Sequence, residues 1–362
     1  MEKLEMISEL KKYYKGKKVY LTGHTGFKGS WMLVVLDYLG ANVKGYALKA
    51  PRRNDLFYAI DGEVLCDSQI DDIRDRKTLS DSIKDFQPDI IFHFAAQALV
   101  RESYSIPVET FDINVMGSVH VLDAMLQLEK PCSAVMITTD KVYENMEWDF
   151  HYKENDRLGG FDPYSSSKAG CEIAISSYQK AFFNLENYSE HQKALSSARG
   201  GNVIGGGDWS DDRIIPDLVR ALSSDKPLDV RNPKSIRPWQ HVLELLYGYL
   251  LLAMRLQQDA KKYQGAYNFG PEKGDEMTVE ELVRTAIKVW GSGHFDHKPD
   301  LSNLHEAGIL RLDIDKAKSL LKWIPKWTSA ETVEKTMSWY KDFCDGESAL
   351  ELCRKQIREY FE

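Results

Sequence analysis

The most constraining feature of the chain lies within its first thirty residues. Lys18-Val19-Tyr20-Leu21-Thr22 reads as a buried strand, and Gly23-His24-Thr25-Gly26-Phe27-Lys28-Gly29 follows it and opens the helical pattern of residues 28–39. Three glycines at this G-x-x-G-x-x-G spacing let the backbone turn sharply. They also let a diphosphate approach the free N–H groups of a helix N-terminus. In that strand–turn–helix setting, Gly23, Thr25, Gly26, Phe27, Lys28 and Gly29 are the expected cradle of a dinucleotide. The acidic residue that often holds the adenosine ribose belongs about 20 residues further on. That place holds Lys49, followed by Arg52 and Arg53, which by itself favours a 2′-phosphate and therefore NADP.

Short apolar runs alternate with longer amphipathic ones through the first half of the chain. Strands are expected at residues 42–48, 89–94 and 134–138, with helices such as 109–128 between them. Near-continuous apolar strands separated by helices predict an α/β fold, a doubly wound parallel Rossmann sheet. After about Gly200 the rhythm becomes irregular and Gly and Pro cluster, at Gly205-Gly206-Gly207 and at Pro216, Pro227, Pro233 and Pro238. A smaller, interleaved C-terminal substrate-binding domain is expected there. The division is 1–200 for the cofactor domain, with roughly 236–262 returning to it, and most of 201–362 for the substrate.

A second pattern narrows the chemistry. In Asp162-Pro163-Tyr164-Ser165-Ser166-Ser167-Lys168, Asp162 is a suitable N-cap and Pro163 a suitable first helical residue. Tyr164 and Lys168 then share one face, four residues apart. A nearby ammonium is expected to favour the phenolate, which makes Tyr164 a candidate base for a hydroxyl proton. A chance Tyr-x-x-x-Lys at a solvated helix start is the alternative, and the glycine turn upstream weighs against it.

Together these two motifs resemble the extended short-chain dehydrogenase/reductase superfamily over nearly the whole chain. The resemblance implies Asp72-Ile73 beside the adenine, Ala95-Ala96-Gln97 beside the cofactor, and Asn114 in the helix after the fourth strand. Thr138-Thr139-Asp140-Lys141-Val142-Tyr143 is similar to the acid–base segment of nucleotide-sugar 4,6-dehydratases, and its Asp-Lys pair to the branch acting on CDP-glucose. Also similar to that branch are Thr22–Trp31, Gly159–Tyr164, Gly201–Trp209, Asp212–Pro216 and Ile236–Val242. Gly200-Gly201 departs from it, where a larger residue is expected before the second glycine.

The resemblance implies dehydration of CDP-glucose to CDP-4-dehydro-6-deoxy-glucose, a step of deoxysugar synthesis for surface polysaccharide such as O-antigen. By analogy Tyr164 and Lys168 serve the oxidation at C4, Thr139 polarises the C4 oxygen, Asp140 is the acid and Lys141 the base of the elimination. Lys141 needs a depressed pKa for that role, and a purely orienting Lys141 stays open. A hydride that leaves and returns in one turnover calls for NAD, so Lys49, Arg52 and Arg53 are expected to face solvent.

Asn202, Arg213, Arg237 and Arg311 are candidates for the nucleotide diphosphate, which suits the planar guanidinium fork. The helical stretches 109–128 and 164–182 are expected to form a homodimer as a four-helix bundle. An epimerase or decarboxylase of the same superfamily, or a non-catalytic NAD-sensing protein, are the competing readings.

Composition adds exclusions. The net charge of −8 over 362 residues argues against non-specific nucleic-acid binding. No signal peptide is recognised, and the most apolar run, 245–254, falls short of a membrane span of about 20 residues. Five cysteines without C-x-x-C spacing read as buried hydrophobes, so no metal is expected and a cytoplasmic location is.

Overall fold

Ile90–His93 and Cys132–Ile137 are buried at every position, as parallel strands covered on both faces must be. In the computed structural model, which describes residues 2–298 and 309–362, they belong to one seven-stranded sheet. Its strands are β1 (Lys18–Thr22), β2 (Asn42–Ala47), β3 (Asp67–Ile70), β4 (Ile90–His93), β5 (Cys132–Ile137), β6 (Lys193–Gly200) and β7 (Gly265–Phe269). They lie in the order β7-β6-β5-β4-β1-β2-β3 and all pair in parallel. The order reverses between β1 and β4, where a doubly wound sheet opens its ligand crevice.

The main helices are α1 (Phe27–Leu39), α2 (Gly117–Leu126), α3 (Pro163–Ala181), α4 (Val242–Gln258), α5 (Ser329–Cys344) and α6 (Ala349–Phe361). The single helix expected over 109–128 is instead composite. Pro107–Phe111 leads into a π-helical stretch, Asp112–Met116, before α2 begins. A π turn widens the helix, and buried Asn114 lies on it, donating to the carbonyl of Gln97 (3.1 Å) and to Ser167 (2.9 Å). The α3 start is as expected. Asp162 accepts the N–H of Ser165 at 2.8 Å and Pro163 opens the helix.

The later part of the chain is woven into the sheet. Almost all of α4 is buried, and the Ser133 hydroxyl of β5 donates to the carbonyl of Ala253 on it. β7 completes the sheet edge beyond α4. The fully buried carboxylate of Glu244 accepts the N–H groups of Lys326 and Trp327 and the Tyr360 hydroxyl (2.6 Å), which ties the C-terminal helices to α4. α6 reaches α1, where Arg354 pairs with Asp37 at 3.3 Å and Phe361 stacks on Tyr38. Short pairings outside the sheet, Val203–Ile204 with Gln240–His241 and Ile236–Arg237 with Met277–Thr278, build a wall at the carboxyl end of β6. No helix among the described residues is long and apolar enough to cross a membrane.

The turn after β1 is the tightest point of this frame. A Cβ on Gly29 would stand 2.1 Å from the carbonyl oxygen of Gly23, a backbone atom that cannot swing aside. Gly29→Ala is therefore expected to destabilise the protein by about 3 kcal/mol, the upper range for overpacking. Urea denaturation checks this, and an unchanged midpoint would refute the close approach.

Candidate active site

The cradle is built as the glycine spacing requires. Gly23 has φ +75°, and a Cβ there would lie 2.7 Å from the amide nitrogen of Ala95, so only glycine suits the position. Ala95 in turn donates its N–H to Thr22 Oγ1 at 3.1 Å, and Ala96 follows it, half-buried, in the same loop. Thr25 ties the turn to the end of β2 through the carbonyl of Leu48, 2.7 Å away. Gln97 serves its own loop. Its side chain holds both backbone groups of Leu99, while its N–H donates to Asn114. Asp72 has both carboxylate oxygens on Arg74, and Ile73 is buried against Gly117. Lys49 and Arg53 are exposed. Arg52 is not simply solvent-facing as expected, because it pairs with Asp211 at 2.5 Å and lines the cleft.

Beyond the cradle, a cleft of about 1460 Å³ opens at the carboxyl ends of β5 and β6. It brings together Phe27, Lys28, Thr139, Asp140, Lys141, Tyr164, Asn202, Arg213 and Arg237. The chain leaves β5 at Ile137 and makes one 3-10 turn, Asp140–Val142, which Thr139 caps by accepting the N–H of Lys141. Thr139 Oγ1 donates to Asp140 Oδ1 at 3.0 Å, and Lys141 Nζ lies 3.7 Å from that same oxygen. Asp140 is 2% exposed, so its carboxylate interacts almost wholly with groups of the site.

The Tyr–Lys pair differs from expectation in its electrostatics. Burial pushes the Tyr164 phenol up to about 12, against a hydrogen bond from Thr139 that pulls it down. Lys168 is turned inward, its Nζ donating to the carbonyl of Ile137 at 3.1 Å, and burial lowers its pKa while Cys171 and Glu172 oppose this. Burial, not the neighbouring ammonium, thus dominates the phenol of the unliganded protein.

Arg213 Nη1 is held by buried Asp208 at 2.9 Å, and Asn202 is fixed through its carbonyl, which accepts the Gln240 N–H. Arg237 lies beside Pro238 and Trp239 on the same wall. Arg311 is a correction. It lies outside the residues lining the cleft, with its fork on Glu276 (2.6 Å to each oxygen) and a further pair to Asp149.

Two features went unread in the sequence. Asp208, which orients Arg213, stands inside the Gly201–Trp209 stretch, where glycines drew the attention. Lys28 does more than belong to the turn. It lines the cleft, where burial, Lys168 and Arg213 lower its pKa to about 8 against Asp140 and Asp208. Among the described residues, no group of three or more His, Cys, Asp or Glu is placed to hold a metal ion.

Residues 21–336 match the family model of GDP-mannose 4,6-dehydratase. The chain is 45% identical to CDP-glucose 4,6-dehydratase of Salmonella typhimurium, over 97% of this chain and 98% of that one. Among solved structures, the epimerase Mth375 of Methanothermobacter thermautotrophicus superposes with a TM-score of 0.79 at 22% identity, covering 97% of this chain and 98% of that one. The dTDP-glucose 4,6-dehydratase DesIV of Streptomyces venezuelae, whose structure holds NAD, superposes with a TM-score of 0.76 at 22% identity, covering 92% and 99%.

The Lys28 environment has a measurable sign. With a folded pKa near 8 against 10.5 for an ordinary lysine, the folded state binds fewer protons than the unfolded one between those values, so stability rises with pH across that window. Below it the cost of the buried charge is complete. Lys28→Met is expected to raise the melting temperature of the unliganded protein near neutral pH, with the gain fading between about 8 and 10.5. Thermal denaturation along a pH series checks this. A destabilised variant, or a gain that ignores pH, would contradict the placement.

Proposed function

The chain belongs to the GDP-mannose 4,6-dehydratase family, and we propose that it converts CDP-glucose to CDP-4-dehydro-6-deoxy-glucose. It is a nucleotide-sugar 4,6-dehydratase, a hydro-lyase of the Rossmann type that works with NAD. The observation that carries this reading is the meeting of Asp140-Lys141 with Tyr164, through Thr139, on the floor of one cleft. A dehydratase needs an oxidising group and an acid–base pair within reach of one sugar ring.

The cradle fits a dinucleotide, because Gly26, the exposed N-cap of α1, carries no side chain to cover the helix N-terminus, while Gly23 and Gly29 let the turn close tightly against Ala95 and His24. A hydride that returns within the same turnover supports NAD over NADP, and the structure of DesIV holds NAD. When bound, NAD would supply hydride acceptance from C4 of the sugar and its return to C6. Tyr164 receives the proton of the 4-hydroxyl, and Lys168 holds the nicotinamide ribose. A positive charge brought beside Tyr164 would lower its phenol from the raised value, because it favours the phenolate.

Thr139 donates to the C4 oxygen, the C4 ketone acidifies C5, Lys141 removes the C5 proton, and Asp140 protonates the departing 6-hydroxyl. Only water is lost overall. Arg213, Arg237 and Asn202 hold the diphosphate from the wall formed by residues after 200. Residues 1–200, with 236–262, thus serve the cofactor and most of 201–362 the nucleotide sugar, in a step of deoxysugar synthesis.

We assign the apolar face along Pro107–Leu126 and α3 to a second copy of the chain. Val108 is 76% exposed and Ile173 63%, and Phe111, Met116, Leu126 and Phe182 are also exposed. Solitary exposed hydrophobes are ordinary, whereas a contiguous set on two adjacent helices is a pairing surface.

Incubation with CDP-, UDP-, GDP- and dTDP-glucose, followed by the alkaline ultraviolet absorbance of a 4-keto sugar, tests the reaction. CDP-glucose is expected to be turned over at least about tenfold faster than the others. Tyr164→Phe should lower turnover by about 10²-fold or more. Lys141→Met should oxidise C4 and stall, accumulating the 4-keto-glucose nucleotide, and normal turnover in that variant would remove Lys141 as the base. Light scattering at micromolar concentration tests the pairing. The wild type should be a dimer and Ile173→Asp a monomer, and a monomeric wild type would discard the interface.

A further inference from the structure

Behind the catalytic turn lies a buried ion pair that the mechanism above does not use. Glu172 and Arg199 meet at 2.7 Å with side chains 3% and 4% exposed. Charges so withdrawn from water are costly unless paired and hydrogen-bonded, and the partners of this pair include a residue at each end of the catalytic segment. Glu172 Oε1 accepts the Thr138 hydroxyl at 2.5 Å, and Oε2 accepts the Ser197 hydroxyl at 2.8 Å. Arg199 Nη1 donates to the Tyr143 hydroxyl and to the Glu154 carbonyl, both at 2.9 Å. The Tyr143 hydroxyl donates onward to Asn268 Oδ1 at 2.6 Å. Thr139, Asp140 and Lys141 lie between the two anchored residues.

We propose that the Glu172–Arg199 pair is a positioning device that clamps the turn carrying Asp140 and Lys141 to the helix carrying Tyr164 and Lys168. Glu172 stands one turn beyond Lys168 and two beyond Tyr164, on the same face of α3. It therefore sets the distance between the group that serves oxidation and the groups that serve elimination. Tyr164 and Lys168 have other supports, the Asp162 cap and the Ile137 carbonyl. The Asp140–Val142 turn is held at both flanks by the clamp. Loosening the pair displaces the acid and base more than it displaces the phenol, and the elimination step suffers selectively. The inference rests on the 4,6-dehydratase reading.

Tyr143→Phe is the deciding variant, since it removes one hydroxyl at the far anchor and keeps the ring. Thr138→Val tests the near anchor. The double variant Glu172→Met/Arg199→Met removes both charges together, which buried pairs tolerate better than loss of one partner. Each holoenzyme is mixed with CDP-glucose and quenched at intervals. Mass spectrometry then separates the 4-keto-glucose nucleotide from the 4-keto-6-deoxy product, and melting temperatures are recorded in parallel. The expected result is elimination slowed by about 10²-fold, as for misplaced catalytic groups, with oxidation kept within about tenfold and the 4-keto-glucose nucleotide accumulating. A parallel fall of both steps in Tyr143→Phe, or wild-type proportions of the two sugars, overturns the clamp. A wild type that makes no 4-keto-6-deoxy sugar overturns the dehydratase reading itself.

Discussion

The carboxylate of Glu172 is almost completely withdrawn from water, and the groups that satisfy it determine how three elements fit together. Thr138 follows β5, Ser197 and Arg199 lie on β6, and Glu172 itself is on α3. An unpaired buried charge is costly enough that these partners must converge. Their convergence brings the carboxyl ends of two parallel strands to the same side of the Tyr–Lys helix. Tyr143 and Asn268 extend the arrangement to β7, so the sheet edge and the catalytic turn are braced by one polar network. Such a network braces its members through many mutual hydrogen bonds, with only Arg199 Nε, among its described side-chain atoms, left without a partner.

In front of that support, the cleft brings charges of both signs together. Lys28, Arg213 and Arg237 line it together with Asp140 and Asp208, and the cations press on one another. Lys28 is held well below the ordinary lysine pKa by burial, Lys168 and Arg213. The Tyr164 phenol is held up to about 12 chiefly by burial, with the Thr139 hydrogen bond and Arg213 opposing it.

The glycine turn, the strand–helix alternation and the N-cap at Asp162 were legible in the sequence because each depends on local backbone chemistry. Gly23 must take a positive φ and leave room for Ala95, and no other residue type does both. The parallel sheet followed from strands without polar alternation. The composite helix around Asn114 was not legible, because its π stretch goes with hydrogen bonds to Gln97 and Ser167, residues remote in the chain.

Residue identity alone thus determined the cradle, the Tyr–Lys pair, the Asp–Lys segment and the class of chemistry they permit, since motif spacing is a property of consecutive residues. Only the tertiary structure decided which cations face the cleft. Arg213, Lys28 and Arg52 do, Arg52 with Asp211 beside it, whereas Arg311 lies outside the lining on Glu276 and Asp149. It alone decided, too, that Glu172 and Arg199 meet at 2.7 Å. A charged side chain carries no mark of its eventual partner. Its role is set by which opposite charge the fold brings within reach, and by how much water is left between them.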